Sequence, residues 1–517
     1  MGRPLSRPKP DAEESQRQQL RGSSLLLVGR VLAVGVNFIT QVVIVRSLSK
    51  GDFGVFAYAL SVVNLAESAV TLGLDRGVTR FLPIYDERNE RGRFVGTLLF
   101  VPAAVTALGV VVVGFVVLLR TPIASAVVGS GSAALTTATT VVVLLAFLAP
   151  IQALDNLLLG LFAVFSKARA IFFRRYVLAP ALRLLVVVVL ATADRDVRFL
   201  AGGYALAGAA GVALYVVFLV RTLRRSGALD THGAPLEVPY RELLAFTIPL
   251  LTTDLVFVLL ESTDALLLGA LKGPAEVASL RAVQPAARVN QLVLASFGVL
   301  FTPLAARHFA RNEVQAVRDL YWRTATWVAV ASFPLAALTV AAAAPLTVAL
   351  FGNRYEDSGP LLGVLSAGYY LNAALGFNGL TLNVFGRVRA VVVVNLSAAA
   401  LNVVLNVALV PSFGAMGAAI ATASTLVLHN VLRQVALQRQ TPVPAFDQAY
   451  ARSYVAVVLG LATAAAICIL TDAALVPAVA VCAAVSLAVL AVSRRDLRIG
   501  DAFPELARLP VVGRLVQ

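Results

Sequence analysis

The chain has 517 residues, of which 59% are hydrophobic and 14% are charged, and its mean hydropathy is +0.84. Soluble globular proteins carry about 25% charged residues, so this composition excludes an ordinary soluble protein and indicates a polytopic membrane protein. The formal net charge of +15 would suggest a nucleic-acid partner in a soluble protein. Here we expect the basic residues to set membrane topology and contact anionic lipid head groups instead.

Apolar segments of about twenty residues, the length that crosses a bilayer, follow one another along the chain. The polar N-terminal tail carries no apolar run, so we expect the first span to serve as the insertion signal. We predict an all-α fold with about fourteen transmembrane helices. The predicted spans are 24–45, 53–74, 94–118, 138–162, 170–191, 198–220, 242–269, 276–306, 324–344, 358–385, 390–410, 414–437, 450–471 and 473–493.

Basic residues alternate between the loops of this arrangement. With the N-terminus and every second loop in the cytoplasm, the cytoplasmic segments carry 32 Lys and Arg and the opposite loops carry 7. Because cytoplasmic loops are enriched in basic residues, this split predicts a plasma-membrane protein with both termini in the cytoplasm.

A weak internal repeat divides the chain into two halves. Residues 48–54 and 271–277 each follow a span and precede one long helix and a proline, Pro83 or Pro303. Six spans separate the copies, so both have the same orientation, which predicts two parallel six-helix lobes with a site between them. The predicted domains are an N-terminal tail (1–23), an N-lobe (24–220), a cytoplasmic linker (221–241), a C-lobe (242–437), two further spans (438–493) and an amphipathic cytoplasmic tail (494–517).

Charged stripes lie on two adjacent predicted spans. The eighth span carries Arg281, Gln284, Arg288 and Gln291 at spacings that place them on one helix face. The seventh carries an acidic stripe. Its residues are Asp254, Glu261 and Asp264. Charges inside membrane helices are costly and usually face a cavity or a partner, so the two stripes predict a polar cavity within the membrane.

The first and second spans carry similar polar groups. These are Arg30, Asn37 and Gln41 on the first, and Asn64, Glu67 and Thr71 on the second. Farther along, Arg183 is expected to reach the membrane interface. Asp155 and Asn156 are expected to serve helix packing, and Asn372 and Asn378 to form hydrogen bonds between helices or with sugar hydroxyls.

Two longer motifs carry a family resemblance. The first is Arg46-Ser-Leu-Ser-Lys-Gly-Asp-Phe-Gly-Val-Phe-Ala-Tyr58, which runs into Leu72-Gly-Leu-Asp-Arg-Gly-Val-Thr-Arg-Phe-Leu-Pro83. The second is Asn383-Val-Phe-Gly-Arg387, followed by Val410-Pro-Ser-Phe-Gly-Ala-Met-Gly-Ala-Ala-Ile-Ala-Thr422. Along its whole length the chain resembles the polysaccharide-repeat-unit flippases, in the superfamily that also holds multidrug exporters and lipid II flippases. The resemblance implies two six-helix lobes in a V, a central cavity lined by spans 1, 2, 7 and 8, and alternating-access export of a lipid-linked oligosaccharide. It also implies a monomer, and assembly enzymes of the polysaccharide are possible partners.

For the polar residues the sequence leaves two interpretations open. Guanidinium groups pair phosphate oxygens, so Arg30, Arg281 and Arg288, with Gln284 and Gln291, are candidates for binding the head-group phosphate. The carboxylates are candidates for a coupling H⁺ or Na⁺ site. They are Glu67, Asp254, Glu261 and Asp264, and membrane potential alone is a further possible driving force. Alternatively, these charges pair with one another. Asn37, Asn64 and Asn290 are candidates for sugar contacts.

No catalytic motif is present in the sequence, so we expect a transporter rather than an enzyme, with no cofactor or metal. There is no Gly-Lys-Ser/Thr nucleotide loop, and the three His residues are scattered. Cys468 and Cys482 are expected to be buried free thiols. Three alternatives stay open: a cation-coupled exporter of organic compounds, a lipid II flippase, and a membrane glycosyltransferase, polymerase or scaffold.

Overall fold

The computed structural model describes residues 12–165, 168–231 and 233–497. Within these ranges the chain is helical without a β-strand, which confirms the all-α class. A π-helix spans Phe173–Leu178, and 3₁₀-helices span Asn353–Ser358 and Gln448–Tyr450. The α-helices are α1 (Ala12–Ser47), α2 (Lys50–Thr71), α3 (Leu74–Glu87), α4 (Arg91–Leu118), α5 (Arg120–Val128), α6 (Leu135–Ala146), α7 (Leu148–Val164), α8 (Ala168–Phe172), α9 (Ala179–Thr192), α10 (Val197–Ser226), α11 (Tyr240–Lys272), α12 (Pro274–Arg288), α13 (Asn290–Ala310), α14 (Val314–Ala341), α15 (Ala343–Phe351), α16 (Gly359–Ala374), α17 (Asn378–Val384), α18 (Val388–Gln440), α19 (Ala451–Leu470) and α20 (Leu475–Leu497).

Eleven helical runs within the described residues are long and apolar enough to cross a membrane, and a shorter apolar helix covers Leu32–Ser47. The chain is therefore a multi-pass membrane protein, although the predicted number of fourteen spans is not confirmed. The run Val388–Gln440 contains the predicted boundary between two spans, because Gly414 adopts a φ of 56° there and interrupts the helix. The predicted span 276–306 is divided instead, with α12 ending at Arg288 and α13 beginning at Asn290.

The second predicted span and the loop after it differ from the prediction. A span over 53–74 and a loop over 75–93 were expected, but the structure continues as α3 to Glu87. Leu72 and Gly73 separate α2 from α3, with φ values of 45° and 68° in the left-handed region. This region suits glycine, which has no Cβ to clash with the backbone. The result is a broken helix that carries Asp75, Arg76 and Arg80 on its second part.

The first of two compact units comprises Met1–Ala278. In it α2 packs against α4, α6, α7 and α11, and α3 packs against α4, α7 and α11. Close contacts hold α11 and the start of α12 in this unit. A Cβ on Gly77 of α3 would lie 3.1 Å from Thr247 of α11, and one on Gly54 of α2 would overlap the carbonyl oxygen of Pro274, the first residue of α12. The unit boundary thus follows α11, whereas the predicted N-lobe ended at residue 220. The lobe limits 24–220 and 242–437 stay a prediction.

The segment between α10 and α11 is attached to the start of α4. Arg93 forms an ion pair with Glu237 at 2.9 Å, and Gly92 accepts a backbone hydrogen bond from the Glu237 N–H. The guanidinium of Arg93 lowers the pKa of the Glu237 carboxyl, because the hydrogen bond favours the ionised form.

The second unit comprises Ser279–Gln517 and is built around α14. Helix α14 packs against α13, α16, α19 and α20, and α16 packs against α18. Cys468 and Cys482 are buried free thiols in this unit, as predicted. Helix α20 ends at Leu497. Most of the predicted amphipathic tail, and residues 1–11 of the N-terminal tail, lie outside the described residues.

Candidate functional site

A polar chamber in the first unit lies beside the break between α2 and α3. Glu67 lies on the last turns of α2, and the Asn156 side chain of α7 donates a hydrogen bond of 2.7 Å to its carboxylate. The cavity has a volume of about 230 Å³. Its lining, here named the α2–α7 chamber, consists of Glu67, Ser68, Thr71, Gly73, Asp75, Arg76, Asn156, Leu251 and Val258. Glu67 was predicted from the sequence, whereas Asn156 was assigned to packing.

A buried ion pair lies on the neighbouring face of α7. The Nε atom of Arg174 lies 2.8 Å from an Asp155 carboxylate oxygen, and the Arg174 side chain is only 3% exposed. The guanidinium lies 5.7 Å from the Tyr215 ring centroid. A Cβ on Gly211 would approach it to 3.0 Å, so glycine at this position makes room for it. Two residues adjacent in sequence therefore connect α7 to its neighbours: Asp155 contacts Arg174, and Asn156 contacts Glu67.

Sequence reasoning did not single out Arg174, which was one of the 32 basic residues assigned to the cytoplasmic side at the start of the predicted span 170–191. The structure instead places Arg174 in the π-helix that precedes α9. An aspartate inside the preceding apolar span was the one available signal for this pair, because an intramembrane charge needs a partner. Nearby, Arg183 is exposed and lies 5.8 Å from the Tyr204 ring centroid, and both line a cavity of about 30 Å³ with Asp155 and Arg174.

The basic stripe lies on α12, and two of its contacts are hydrogen bonds to polar side chains. Arg281 donates a hydrogen bond of 2.7 Å to the side-chain oxygen of Gln284. Arg288 donates one of 2.9 Å to the Tyr369 hydroxyl, and its guanidinium lies 5.7 Å from that ring centroid. Both arginines are half-buried. Tyr369 is buried, and its hydroxyl positions the Arg288 guanidinium.

The helix break at Val289 separates Gln291, the last member of the stripe, from α12. Gln291 is half-buried on α13. Asn290 is fully buried, and its amide donates to the Ala287 carbonyl at 3.3 Å and to the Thr339 hydroxyl at 3.5 Å. In this structure Asn290 therefore supports the helix break.

The predicted residues of the acidic stripe and of the first two spans differ in their exposure. Asp264 is 2% exposed and accepts a hydrogen bond of 2.7 Å from the Ala265 N–H, whereas Glu261 is exposed. The side chain of Asp254 lies outside the described residues. Three further predicted residues, Arg30, Asn37 and Asn64, are exposed.

A buried amide network was found in the second unit. Asn378 donates to the side-chain oxygen of Asn430 at 2.8 Å, and Asn430 donates to the backbone carbonyl of Asn372 at 2.7 Å. Tyr321 donates to Gln434 at 2.7 Å in the same region. The interhelical bonds predicted for Asn372 and Asn378 are thus present. Among the described residues no group of three or more His, Cys, Asp or Glu is arranged to hold a metal ion.

Comparison with known proteins finds solved structures with a similar fold. The structure is similar to the lipid II flippase MurJ in an inward closed conformation, with a TM-score of 0.71, 10% identity, and coverage of 92% of this chain and 99% of that one. It is also similar to a multidrug resistance MATE family transporter of the MOP superfamily in an inward-facing conformation. There the TM-score is 0.64 with 14% identity, covering 79% of this chain and 94% of that one.

Two sequence comparisons add to this. An uncharacterized membrane protein of Methanocaldococcus jannaschii is 22% identical over 417 residues, which cover 79% of this chain and 81% of that protein. The MatE family model matches residues 249–408.

The fold defines a multi-pass, all-helical membrane protein whose architecture is similar to that of a lipid II flippase and of a multidrug resistance transporter. The family model described as polysaccharide biosynthesis protein matches residues 19–309, more than half of the chain. The chain belongs to this polysaccharide biosynthesis protein family.

Proposed function

We propose that the protein is a flippase that moves a polyprenyl-phosphate- or polyprenyl-diphosphate-linked oligosaccharide from the cytoplasmic to the outer leaflet by alternating access, with both termini in the cytoplasm. The family match supports a role in polysaccharide biosynthesis, and the fold supports transport rather than catalysis.

The observation that carries the proposal is the pair of guanidinium groups on α12. Arg281 and Arg288 are half-buried on α12, where Gln284 and Tyr369 accept hydrogen bonds from them and orient them. They are seven residues apart, and a helix rises about 1.5 Å per residue, so roughly 11 Å separates them along α12. This separation suits successive contacts with one moving phosphate or diphosphate, whose oxygens guanidinium forks bind in pairs.

The test is transport in proteoliposomes loaded with a fluorescent polyprenyl-diphosphate saccharide. Arg288→Gln should reduce the rate at least tenfold, because the neutral amide cannot pair with a diphosphate. Arg198→Gln, at an exposed position, is the matched control and should transport at the wild-type rate. Full transport by a folded Arg288→Gln protein would rule out the phosphate role.

A second candidate is a cation-coupled exporter of organic compounds, which the MatE match over 249–408 favours. In this reading Glu67, Glu261 and Asp264 are coupling carboxylates. Deleting the gene separates the two functions. Loss of surface polysaccharide supports the flippase, whereas raised drug sensitivity with intact polysaccharide supports the exporter.

A further inference from the structure

We infer that the α2–α7 chamber binds a sugar ring of the translocated molecule, so that the protein contacts the saccharide as well as its phosphate. This inference rests on the proposed flippase function and assigns the saccharide to a site separate from the arginines of α12. The volume of the chamber, the chemistry of its lining and the helix break between α2 and α3 support this site.

Hydrogen-bond acceptors dominate the lining. The hydroxyls of Ser68 and Thr71 donate to carbonyls of their own helix, at Asn64 and Glu67, with distances of 3.3 and 2.9 Å. Each hydroxyl oxygen therefore presents its lone pairs as an acceptor. Glu67 adds a carboxylate, so the chamber suits a ligand with several O–H or N–H donors.

Two other ligand classes fit less well. A phosphate would meet two carboxylates, Glu67 and Asp75, against the single guanidinium of Arg76, so repulsion would exceed attraction. A bare cation would meet the Arg76 guanidinium in the same lining, and Asn156 directs an N–H donor, which cannot coordinate a cation, at Glu67. The cavity of about 230 Å³ also far exceeds the space of one ion.

A sugar ring matches both the size and the two-sided character of the chamber. The volume of about 230 Å³ equals that of roughly eight water molecules at ~30 Å³ each. Leu251 and Val258, seven residues apart on α11, form an apolar wall of the chamber, in addition to the polar groups of α2 and α7. A pyranose has hydroxyls around its rim and C–H groups on its faces, so it can satisfy both surfaces.

Contacts at both ends of α11 hold this wall in place. Near its start, Glu242 accepts a hydrogen bond of 3.0 Å from the Tyr85 hydroxyl of α3. Near its end, a Cβ on Gly269 would lie 2.5 Å from the Tyr58 ring of α2. The chamber lies between these contacts, so a bound ring would be enclosed by α2, α3, α7 and α11.

The test is a binding competition followed by native mass spectrometry of the full-length protein. The probes are saccharide-bearing polyprenyl diphosphates extracted from the source membranes and the same polyprenyl diphosphate without saccharide. Wild type should prefer the saccharide-bearing lipid by about tenfold or more. Glu67→Gln and Asn156→Leu should each lower that preference at least fivefold and leave the affinity for the sugar-free lipid within twofold.

Three further measurements distinguish a loss of sugar binding from a loss of diphosphate binding or of the fold. Thr106→Ala, an exposed position on α4, should keep the wild-type preference. Arg288→Gln should weaken both lipids alike, because they share the diphosphate. Binding of the sugar-free lipid reports that each chamber variant is folded, and the near-isosteric Glu67→Gln guards against misfolding of Asn156→Leu.

A wild-type protein without preference for the saccharide, or an unchanged preference in both folded chamber variants, would overturn the sugar site and leave the flippase proposal standing. A wild-type protein that binds neither lipid would overturn both proposals.

Discussion

Removing Asp155 should destabilise the protein more than removing its partner. Arg174 is 3% exposed and Asp155 is 25% exposed, so the two charges differ in their access to water or lipid head groups. Breaking a buried pair from one side costs about 3–5 kcal/mol, because the remaining charge is uncompensated. Asp155→Leu leaves the buried Arg174 guanidinium without its partner. We expect this variant to lower the free energy of unfolding by ~3 kcal/mol, the lower end of that range, because the site is partly open.

Arg174→Met leaves the more accessible carboxylate. We expect a cost of ~1–2 kcal/mol, which includes the lost contact with the Tyr215 ring at about 0.5–1 kcal/mol. The double variant Asp155→Leu/Arg174→Met should cost less than Asp155→Leu alone, since no buried charge remains. A coupling energy of about 2 kcal/mol should follow from the double-mutant cycle.

The assay is SDS-induced unfolding in mixed micelles, followed by far-UV circular dichroism. Arg198→Met is the control, because its side chain is 47% exposed, and it should change the free energy of unfolding by less than about 0.5 kcal/mol. Equal costs for the two single variants, with a double variant equal to their sum, would refute the reasoning about the buried pair.

Two further predictions concern backbone contact and the amide network. Gly54→Ala should abolish folded protein in a size-exclusion assay, because its Cβ would overlap the Pro274 carbonyl, whereas Gly114→Ala, with nothing within 4 Å, should elute as wild type. A normal Gly54→Ala profile would mean that α2 and the start of α12 are not in close contact. Tyr321→Phe should lower the free energy of unfolding by about 0.5–1.5 kcal/mol, because the buried Gln434 oxygen loses its hydrogen bond from Tyr321 and keeps the one of 3.5 Å from Asn378. A change below about 0.5 kcal/mol in SDS unfolding would contradict this.

Much of the fold was accessible from the sequence because membrane-spanning helices have a strong local signal. An apolar run of about twenty residues must form a helix in lipid, where every backbone polar group needs an internal partner. The boundary near Gly414 and the two buried cysteines of the last spans were predicted in this way. The break at Leu72–Gly73 was not, because apolar composition continues across it and only the backbone conformation reveals it.

The candidate sites were less accessible, because they depend on which helix faces meet. Glu67 and the arginines of α12 stood out as costly charges in apolar segments, so the sequence by itself determined that these residues need a polar environment. Only the tertiary structure decided the partners. Asn156 meets Glu67, Arg174 meets Asp155 and Tyr369 meets Arg288 across 89, 19 and 81 residues of chain. Such pairings are fixed by helix packing rather than by local spacing, so composition established a polytopic membrane protein and packing established its polar sites.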